Sequence, residues 1–421
     1  MFLIDYLLEY NRYMNVLGVL CVLLVAFFFS KNRARINYRL VAIALAMQFG
    51  LGLIMLRTTW GVKGVQAAAG AIGQLYVAGG KGVEFLFGKL IDPTGSWGPI
   101  FAFKVLPLII FFGALTSILL HYGVVQWVAG WVARLLRPLF GTSGAETLSV
   151  SASCLGQTEA PMLVRHYIKN MTHSEMLTIM IGGMGTISLS VLAIYVSMNV
   201  PAAYLLSAVV MAIPSSILMA KILYPEAETP ETAAGREPVQ DEDAKSSNVL
   251  EAIAKGTSAG LMLALNVGAM LIAFIALIAL VNALLGWGSG QLNYWFDIPL
   301  LSATPLQHIL SYCFAPVGWL LGLTGPDLFR ASELLGIKVI GNEFLAYSEM
   351  VKMTFDSERA QMLTTYILCG FANLSSIGIQ IGGIGTLAPN QRPTIAKLGL
   401  LAVLGGTLAN ILSAMVAGIC V

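Results

Sequence analysis

Two short polar clusters in apolar surroundings contain the side chains that could do chemistry. The first, GQTEAP at residues 156–161, places an amide, a hydroxyl and a carboxylate side by side. The second, GNEFLAYSEM at residues 341–350, begins with an amide and a carboxylate. The chain around them is 57% hydrophobic and 11% charged. Because an ionised Glu costs about 3 kcal/mol at the centre of a membrane helix, Glu159 and Glu343 are expected to line one water-accessible binding site.

The side chains in and near these clusters suit neutral hydrogen bonding better than the binding of a charged ligand. They combine carboxylate acceptors with hydroxyls and amides that both donate and accept. The set consists of Gln157, Thr158, Glu159, Glu343, Asn373 and Ser376. It favours a neutral, hydroxyl-rich ligand with amide-like edges, and Phe371 could cover a flat ring. An anionic ligand would call for Arg or Lys beside the clusters, whereas Arg165 and Lys169 are expected to extend to the membrane surface.

The elements that must position these side chains are membrane-spanning helices. The mean hydropathy of +0.79 over 421 residues is too high for a protein whose whole surface faces water. Apolar stretches long enough to cross a hydrocarbon core of roughly 30 Å as helices cover residues 14–30, 40–56, 99–120, 175–199, 202–223, 257–286, 361–387 and 395–419. The sequence lacks the alternating segments of a transmembrane β-barrel. It therefore predicts an all-α polytopic membrane protein with about eight spans.

The basic residues predict how the chain is oriented. A basic group lies between the first two spans: Lys31, Arg33, Arg35 and Arg39. Since short loops rich in Lys and Arg stay cytoplasmic, the amino terminus is expected outside. The basic residues of the later loops all fall on the cytoplasmic side only if two segments enter and leave the membrane by the same face. These two segments contain the polar clusters. Residues 65–90, which are mildly apolar and partly charged, are expected to lie in the membrane interface.

The chain divides near its middle into two halves of similar design. Residues 225–248 are acidic and poor in apolar residues, which is typical of a solvated cytoplasmic linker. On each side of the linker, a long span is followed by a polar cluster, a Gly- and Ser-rich span and a final span. Because successive spans cross the membrane in alternate directions, the two halves have opposite orientations. The segments 99–224 and 249–421 are therefore predicted to be inverted repeats, preceded by an initial region, 1–98. Interrupted, Gly-rich segments at corresponding positions of such repeats indicate the substrate site of a transporter.

Other functions have less support in the sequence. None of the 4 His residues has the spacing of a metal site or a catalytic triad, and the 5 Cys residues are scattered. No basic, aromatic-interleaved stretch suggests nucleic-acid binding. A membrane-embedded enzyme, a channel and a transporter for another small polar solute are the alternatives. Lys104, just before Pro107 in a predicted span, either pairs with a carboxylate or extends to the membrane surface.

Four motifs along the chain carry a resemblance to a known family. They are GQTEAP at 156–161, NVGAMLIAF at 266–274, NEFLAYS at 342–348 and GFANLSSI at 370–377. In this order they closely resemble motifs of the concentrative nucleoside transporters, especially the bacterial sodium-coupled members. The resemblance implies a symporter of the bacterial inner membrane, with a periplasmic amino terminus, that imports nucleosides such as uridine together with a cation.

The resemblance also implies an architecture. Each chain of a homotrimer would have about eight spans, an interfacial helix and two re-entrant helical hairpins, around 140–170 and 328–355. A transport domain would move against a scaffold, to which 1–98 would contribute, in an elevator-type cycle of alternating access. The resemblance implies no organic cofactor and no nucleic-acid partner.

Individual residues take their expected roles from the same resemblance. Those expected to meet the nucleobase, partly through water, are Gln157, Thr158 and Glu159. Those expected to hold the ribose are Glu343, Asn373 and Ser376. Val191 and Phe371 match apolar positions around the ligand.

The coupling cation implied is Na⁺, but the chain departs from the family pattern at one position. Related sodium-coupled sequences carry an Asn four residues before the Gly of GQTE, where this chain has Ala152. The hydroxyl of Ser153 could replace it in an oxygen cage of the kind that hard cations prefer. The full expected set is Ser153, Leu155, Thr158, Thr186 and Ile187. Proton coupling through Glu159 or Glu343 is the alternative.

Overall fold

The structure, a computed structural model, describes residues 2–91, 100–232, 246–296 and 305–421, and these residues form an all-helical fold. Its helices as far as the first polar cluster are α1 (Phe2–Leu8), α2 (Arg12–Phe28), α3 (Tyr38–Arg57), α4 (Thr59–Phe87), α5 (Phe101–Lys104), α6 (Leu106–His121), α7 (Val124–Phe140) and α8 (Gly144–Ser151). Short 3-10 helices in this part include Ser153–Leu155 and Ala160–Val164.

The remaining helices carry the chain through the second polar cluster to its end. They are α9 (Arg165–Ile168), α10 (His173–Gly185), α11 (Leu189–Ser197), α12 (Ala202–Leu223), α13 (Val249–Phe296), α14 (Pro305–Cys313), α15 (Ala315–Leu320), α16 (Gly325–Ile340), α17 (Glu343–Met350), α18 (Glu358–Leu368), α19 (Leu374–Leu387) and α20 (Arg392–Cys420). The order of a polar turn, an interrupted helix and a long helix occurs twice, at α8 to α12 and at α16 to α20.

The predicted multi-span helical fold is confirmed. Within the described residues, 7 helical stretches are long and apolar enough to cross a membrane. They are Asp5–Phe28, Tyr38–Arg57, Ala102–His121, His173–Ser197, Ala202–Leu223, Val249–Gln291 and Pro389–Cys420. The remaining predicted span, 361–387, is broken into α18 and α19. Helix α4, which contains most of 65–90, is not among these stretches, and its interfacial location stays a prediction.

Helices α6 and α13 pack so closely that their backbones touch. Gly113 of α6 faces Gly256 and Gly260 of α13, and a Cβ atom on Gly113 would lie 2.6 Å from the carbonyl oxygen of Gly256. A Cβ atom on Gly260 would lie 2.8 Å from the carbonyl oxygen of Ile109. Small residues that permit this approach are typical of helix pairs in membranes. The first helices of the two predicted repeats are therefore packed against each other.

The interrupted helices pack around α20. Helices α10, α12, α18 and α19 all contact it, and so do α2 and α3. Gly18 of α2 faces the side chain of Met415, and the amide of Gln48 in α3 donates a 2.9 Å hydrogen bond to the hydroxyl of Ser413. The first two spans thus pack directly on the last helix. The assignment of 1–98 to a scaffold stays a prediction.

Each predicted hairpin contains a turn whose helix cap fixes where a short helix begins. At the start of α8, the hydroxyl of Ser143 accepts from the Glu146 N–H at 3.3 Å, and the Glu146 carboxylate accepts from the Ser143 N–H at 2.7 Å. This reciprocal capping box fixes where α8 begins. In the second turn, the side chain of Asn342 accepts from the Leu345 N–H at 2.8 Å and begins α17 directly after α16. These turns lie within the predicted hairpins, whose re-entrant placement stays a prediction.

The start of the predicted linker is folded against the first of these turns. The carbonyl of Thr232 accepts from the Gly144 N–H at 3.1 Å, and the hydroxyl of Thr232 accepts from the Ala145 N–H at 3.0 Å. These bonds satisfy backbone donors in the first turn of α8 that have no partner within the helix. Pro225 and Thr232 are buried, whereas 227–229 and 231 are exposed, and 233–245 lie outside the described residues. The linker as a whole stays a prediction.

Candidate substrate and cation site

Two helix breaks place polar groups inside the apolar fold. Between α10 and α11 the chain is extended at Thr186, and the hydroxyl of Ser188 accepts from the Val191 N–H at 3.3 Å to begin α11. Between α18 and α19, Oδ1 of Asn373 accepts from the Ser376 N–H at 2.9 Å and begins α19 in the same way. Ser and Asn are favoured at helix N-caps because they satisfy such donors. The caps give these polar residues a structural reason to occur in apolar stretches.

Glu343, at the start of α17, contacts the second break and is held by donors from two other segments. Its side chain is 7% exposed. Oε2 accepts a 2.9 Å hydrogen bond from Nδ2 of Asn373, and Oε1 accepts a 3.2 Å hydrogen bond from the hydroxyl of Tyr195. Glu343 is also the first residue of α17, where the helix dipole favours a negative charge. The structure thus brings together Glu343 and Asn373, and it adds Tyr195, which the sequence did not single out.

The first polar cluster meets the same end of α19 through Gln157. Nε2 of Gln157 donates a 3.3 Å hydrogen bond to the hydroxyl of Ser376. Its Oε1 is buried and has no hydrogen-bond partner among the described residues. A Cβ atom on Gly183 would lie 2.9 Å from Cα of Gln157, so the glycine makes room for this turn. Because an unpaired buried acceptor is costly, a donor group on a ligand would be stabilised at Oε1.

Thr158 and Glu159 occupy a more open position. The hydroxyl of Thr158 donates a 2.9 Å hydrogen bond to Oε2 of Glu159, whose side chain is exposed. Gly156 has a φ of 137°, which favours glycine, and a Cβ atom there would meet the Glu159 carboxylate. The side chain of Thr158 rests on Gly383 of α19. The two carboxylates therefore differ: Glu343 is buried among hydrogen-bond donors, and Glu159 is exposed on the surface of the chain.

Two apolar residues adjoin these polar groups. Val191 is buried in the first turn of α11, one turn before Tyr195 and on the same face of that helix. Phe371 is half-buried in the break that leads to Asn373. Their positions next to the polar groups suit the apolar contacts expected of them.

The oxygen atoms expected to bind a cation lie around Thr186. Its hydroxyl donates to the carbonyl of Ser153 at 3.3 Å and to the carbonyl of Gly182 at 3.1 Å. Ser153 is 1% exposed, and its own hydroxyl has no hydrogen-bond partner among the described residues. Ala152 is buried beside it and adds no side-chain oxygen. Hydroxyl and carbonyl oxygens are the groups that hard cations prefer, so this set fits Na⁺.

Of the other expected cation ligands, two lie in the same region as Thr186 and one bonds elsewhere. Leu155 and Ile187 are buried, one at the end of the turn that contains Ser153 and the other directly after Thr186, so their carbonyls belong to the same region. Thr158 is directed elsewhere, because its hydroxyl bonds to Glu159. In the part of the chain that the structure describes, no group of His, Cys, Asp and Glu residues could hold a metal ion.

Several buried polar residues near the site were missed by motif-based reasoning. Gln380 is fully buried in α19 and donates a 3.0 Å hydrogen bond to the carbonyl of Met180, which ties α19 to α10. Lys338 and Asn410 form a further buried pair. Each is an isolated polar residue in an apolar stretch, and that signal could have found them.

The two helix breaks and the two polar turns come together inside a fold of membrane-spanning helices. This arrangement is typical of a multi-span membrane transporter with interrupted helices. Three family models match consecutive parts of the chain. Residues 17–90 match the N-terminus of the Na⁺ dependent nucleoside transporters, 102–201 match the nucleoside recognition (Gate) family, and 204–418 match the Na⁺ dependent nucleoside transporter C-terminus. The chain belongs to the concentrative, Na⁺-dependent nucleoside transporter family, a family of transporters rather than enzymes.

Bacterial relatives match along almost their whole length. An uncharacterized transporter of Haemophilus influenzae is 43% identical over 413 residues, covering 96% of this chain and 97% of the relative. The nucleoside permease NupC of Helicobacter pylori is 38% identical over 421 residues, covering 97% and 98%.

Solved structures of the transporter CNTnw share the fold. The inward-facing, substrate-bound structure has a TM-score of 0.88 at 38% identity and covers 97% of both chains. An outward-facing structure of a CNTnw variant has a TM-score of 0.90 at 38% identity and covers 97% of this chain and 98% of the other.

Proposed function

We propose that this protein is a secondary active transporter that imports nucleosides together with Na⁺. The observation that carries the proposal is the hydrogen bond between Glu343 and Asn373 at the start of α19. Gln157 bonds to Ser376 at the same helix start. These groups come from both polar clusters and from one helix break. They offer a neutral ligand a carboxylate, two amides and a hydroxyl within one buried region.

In this proposal the ligand's two parts are recognised by different groups. Glu343, Asn373 and Ser376 hold the ribose, because sugar hydroxyls donate to the carboxylate of Glu343 and can bond to the hydroxyl of Ser376, while Asn373 keeps that carboxylate in place. Gln157 recognises the nucleobase, and its unpaired Oε1 accepts a hydrogen bond from a base N–H. Thr158 and Glu159, at the more open position, contact the base through water, while Val191 and Phe371 cover apolar parts of the ligand.

The coupling cation binds beside the nucleoside. Ser153 and Thr186 supply hydroxyl oxygens, and Leu155 and Ile187 supply backbone carbonyls, in a set that suits a hard cation. Thr158 joins the set only if its hydroxyl leaves Glu159. Proton coupling through Glu159 or Glu343 is the alternative, because Ala152 stands where the family pattern has an Asn that binds the cation.

Transport follows an elevator-type cycle of alternating access. Inward-facing, intermediate and outward-facing structures of CNTnw support such a cycle for a chain of the same fold. Residues 99–224 and 249–421 form the inverted repeats, with hairpins that re-enter the membrane, 225–248 is the cytoplasmic linker, and 1–98 adds helices to the scaffold. The assembly is a homotrimer of the bacterial inner membrane with a periplasmic amino terminus.

Uptake of labelled uridine into cells or proteoliposomes tests the proposal directly. We expect accumulation above the external concentration when an inward Na⁺ gradient is imposed, and little uptake without it. Uptake driven by acid pH in Na⁺-free buffer would assign the coupling to protons instead. Competition by each nucleoside, a nucleobase, a free sugar and an amino acid would then define the ligand. No competition by any nucleoside would point to another small polar solute.

A further inference from the structure

Tyr195 is a buried tyrosine whose hydroxyl bonds to the carboxylate of the proposed sugar site. It lies near the end of α11 and is 0% exposed. Its hydroxyl donates a 3.2 Å hydrogen bond to Oε1 of Glu343, which is also buried. Hydrogen bonds to an ionised carboxylate are about twice as strong as those between neutral groups. The bond can therefore determine how the Glu343 carboxylate is oriented.

The ring of Tyr195 is held by packing, independently of its hydroxyl. Its centroid lies 4.2 Å from that of Tyr347 and 5.9 Å from that of Phe344, both in α17. Aromatic rings at such distances stabilise each other. The hydroxyl of Tyr347 bonds elsewhere, to the carbonyl of Thr365 in α18 at 2.9 Å. Because a close-packed interior leaves such rings little room to move, the Tyr195 hydroxyl has a fixed position beside Glu343.

Glu343 receives one side-chain donor on each carboxylate oxygen. Nδ2 of Asn373 donates to Oε2 at 2.9 Å, and the hydroxyl of Tyr195 donates to Oε1. The terminal torsion of a Glu side chain is broad, so a single side-chain donor would leave the carboxylate freer to turn about it. The second donor restricts this rotation. Together, Asn373 and Tyr195 therefore fix the directions from which a ligand hydroxyl can approach Glu343.

Helix α11 carries two residues beside the proposed site on one face. Val191, which is expected next to the ligand, lies one turn before Tyr195 on that face. The helix belongs to the first predicted repeat, whereas Glu343 belongs to the second and is 148 residues away from Tyr195 along the chain. One short helix of the first repeat thus supplies an apolar contact and orients a carboxylate of the second.

We propose that Tyr195 is a positioning residue for sugar recognition. Its hydroxyl orients the carboxylate of Glu343, and that carboxylate then selects ligands by their sugar hydroxyls. This role rests on the proposed function, because it requires that Glu343 holds the sugar. The hydrogen bond between the two side chains does not depend on which ligand binds. A binding test and a stability test therefore address the two parts separately.

The binding test uses Tyr195→Phe, which removes the hydroxyl and keeps the packed ring. Binding of labelled uridine to the purified full-length chain is measured, with 2′-deoxyuridine and 3′-deoxyuridine as competitors. We expect uridine affinity to fall by about tenfold, and the preference for uridine over at least one of the two deoxynucleosides to fall with it. A loss of affinity that is equal for all three nucleosides, or no loss, would overturn the positioning role.

Tyr347→Phe is the matched control. It removes one hydroxyl from the neighbouring ring of the same packed pair, but that hydroxyl bonds to a backbone carbonyl. We expect this variant to melt at a lower temperature and to keep the preference of the unmodified chain among the three nucleosides. An equal fall in preference for both variants would show that loosened packing is responsible, and it would overturn the role of the Tyr195 hydroxyl.

The stability test measures the same bond without a ligand. Tyr195→Phe should lower the melting temperature of the unmodified chain more than it lowers that of Glu343→Ala. In the unmodified chain Glu343 loses a donor, whereas in Glu343→Ala the hydroxyl has already lost its acceptor. Equal lowering in both backgrounds would show that the two side chains do not support each other, and it would overturn the proposal.

The outcomes also distinguish this inference from the proposed function. If the unmodified chain binds no uridine, the proposed function fails and the sugar role of Tyr195 fails with it, while the melting temperatures still decide whether its hydroxyl holds Glu343. If the unmodified chain binds uridine and Tyr195→Phe keeps the full preference among the nucleosides, only the positioning role fails.

Discussion

The side-chain amide of Asn373 holds Glu343 with one end and the first turn of α19 with the other. Nδ2 donates to Oε2 of Glu343 at 2.9 Å, and Oδ1 accepts from the Ser376 N–H at 2.9 Å. The amide cannot rotate without breaking both bonds. The carboxylate and the helix start therefore have a preset relative geometry, which lowers the ordering cost of binding a ligand there.

Removal of this carboxylate should abolish transport without preventing assembly. We expect Glu343→Ala to eliminate concentrative uridine uptake, because the proposed sugar contact is lost, while trimers still form in the membrane. Uptake of labelled uridine and chemical cross-linking measure the two effects. Glu349→Ala, at a more exposed position of α17, serves as the control and should transport normally. Normal uptake by Glu343→Ala would remove the residue from the proposed site.

A methyl group on Gly183 should disturb recognition through the backbone of the first polar cluster. Gly183→Ala would place a Cβ atom 2.9 Å from Cα and Cβ of Gln157, which is too close for either residue to stay in position. We expect uridine affinity to fall by about tenfold and stability by about 1–3 kcal/mol. Calorimetric binding and thermal unfolding measure both effects. Gly378→Ala faces open space and should change neither, and unaltered binding by Gly183→Ala would contradict a role for Gln157.

Loss of the unpaired hydroxyl of Ser153 should act on the cation rather than on the nucleoside. We expect Ser153→Ala to raise the Na⁺ concentration for half-maximal uridine uptake several-fold, since one oxygen of the cage is removed. Uptake at saturating Na⁺ should change little. Ser151→Ala is the control, because Ser151 is also buried with an unpaired hydroxyl in the described structure. An identical Na⁺ dependence in both variants would exclude Ser153 as a ligand.

Enlargement of a glycine between α6 and α13 should destabilise the fold. A Cβ atom on Gly256 would lie 2.6 Å from Cβ of Ser117, and Gly256→Val adds two further methyl groups. We expect the purified protein to lose about 1–3 kcal/mol of stability and to melt several degrees lower. Gly286→Val, at an open position of α13, should melt close to the unmodified chain. Equal melting temperatures for the two variants would show that this contact can relax.

Most of the fold follows from local features of the sequence. Hydropathy places a span at 202–223, and α12 covers Ala202–Leu223, because burial in a bilayer depends on composition over one stretch of chain. The predicted span 257–286 lies within α13, which runs further at both ends, over Val249–Phe296. Its additional turns include polar residues that hydropathy does not register, although they continue the helix.

The residues around the proposed site also fall into two groups, those that the sequence indicates and those that it does not. Glu343, Asn373 and Gln157 are predicted site residues because they are polar residues in apolar surroundings, and the structure brings their segments to the start of α19. Tyr195 and Lys338 were missed because neither lies in a cluster of polar residues, and their partners, 148 and 72 residues away, are not evident from the sequence. A single sequence does not reveal which distant residues meet.

The donors on Glu343 determine how many ligand groups it can still receive. Each carboxylate oxygen has two lone pairs, and Tyr195 and Asn373 occupy one on each oxygen. Counting side-chain donors alone, one lone pair per oxygen is left, which in the proposed site matches two neighbouring hydroxyls of a vicinal diol. A compound with a single hydroxyl would leave one lone pair unsatisfied in a buried place, at a cost in affinity. In the proposed site, Tyr195 and Asn373 thus favour a vicinal diol over a single hydroxyl by occupying two acceptor positions of Glu343.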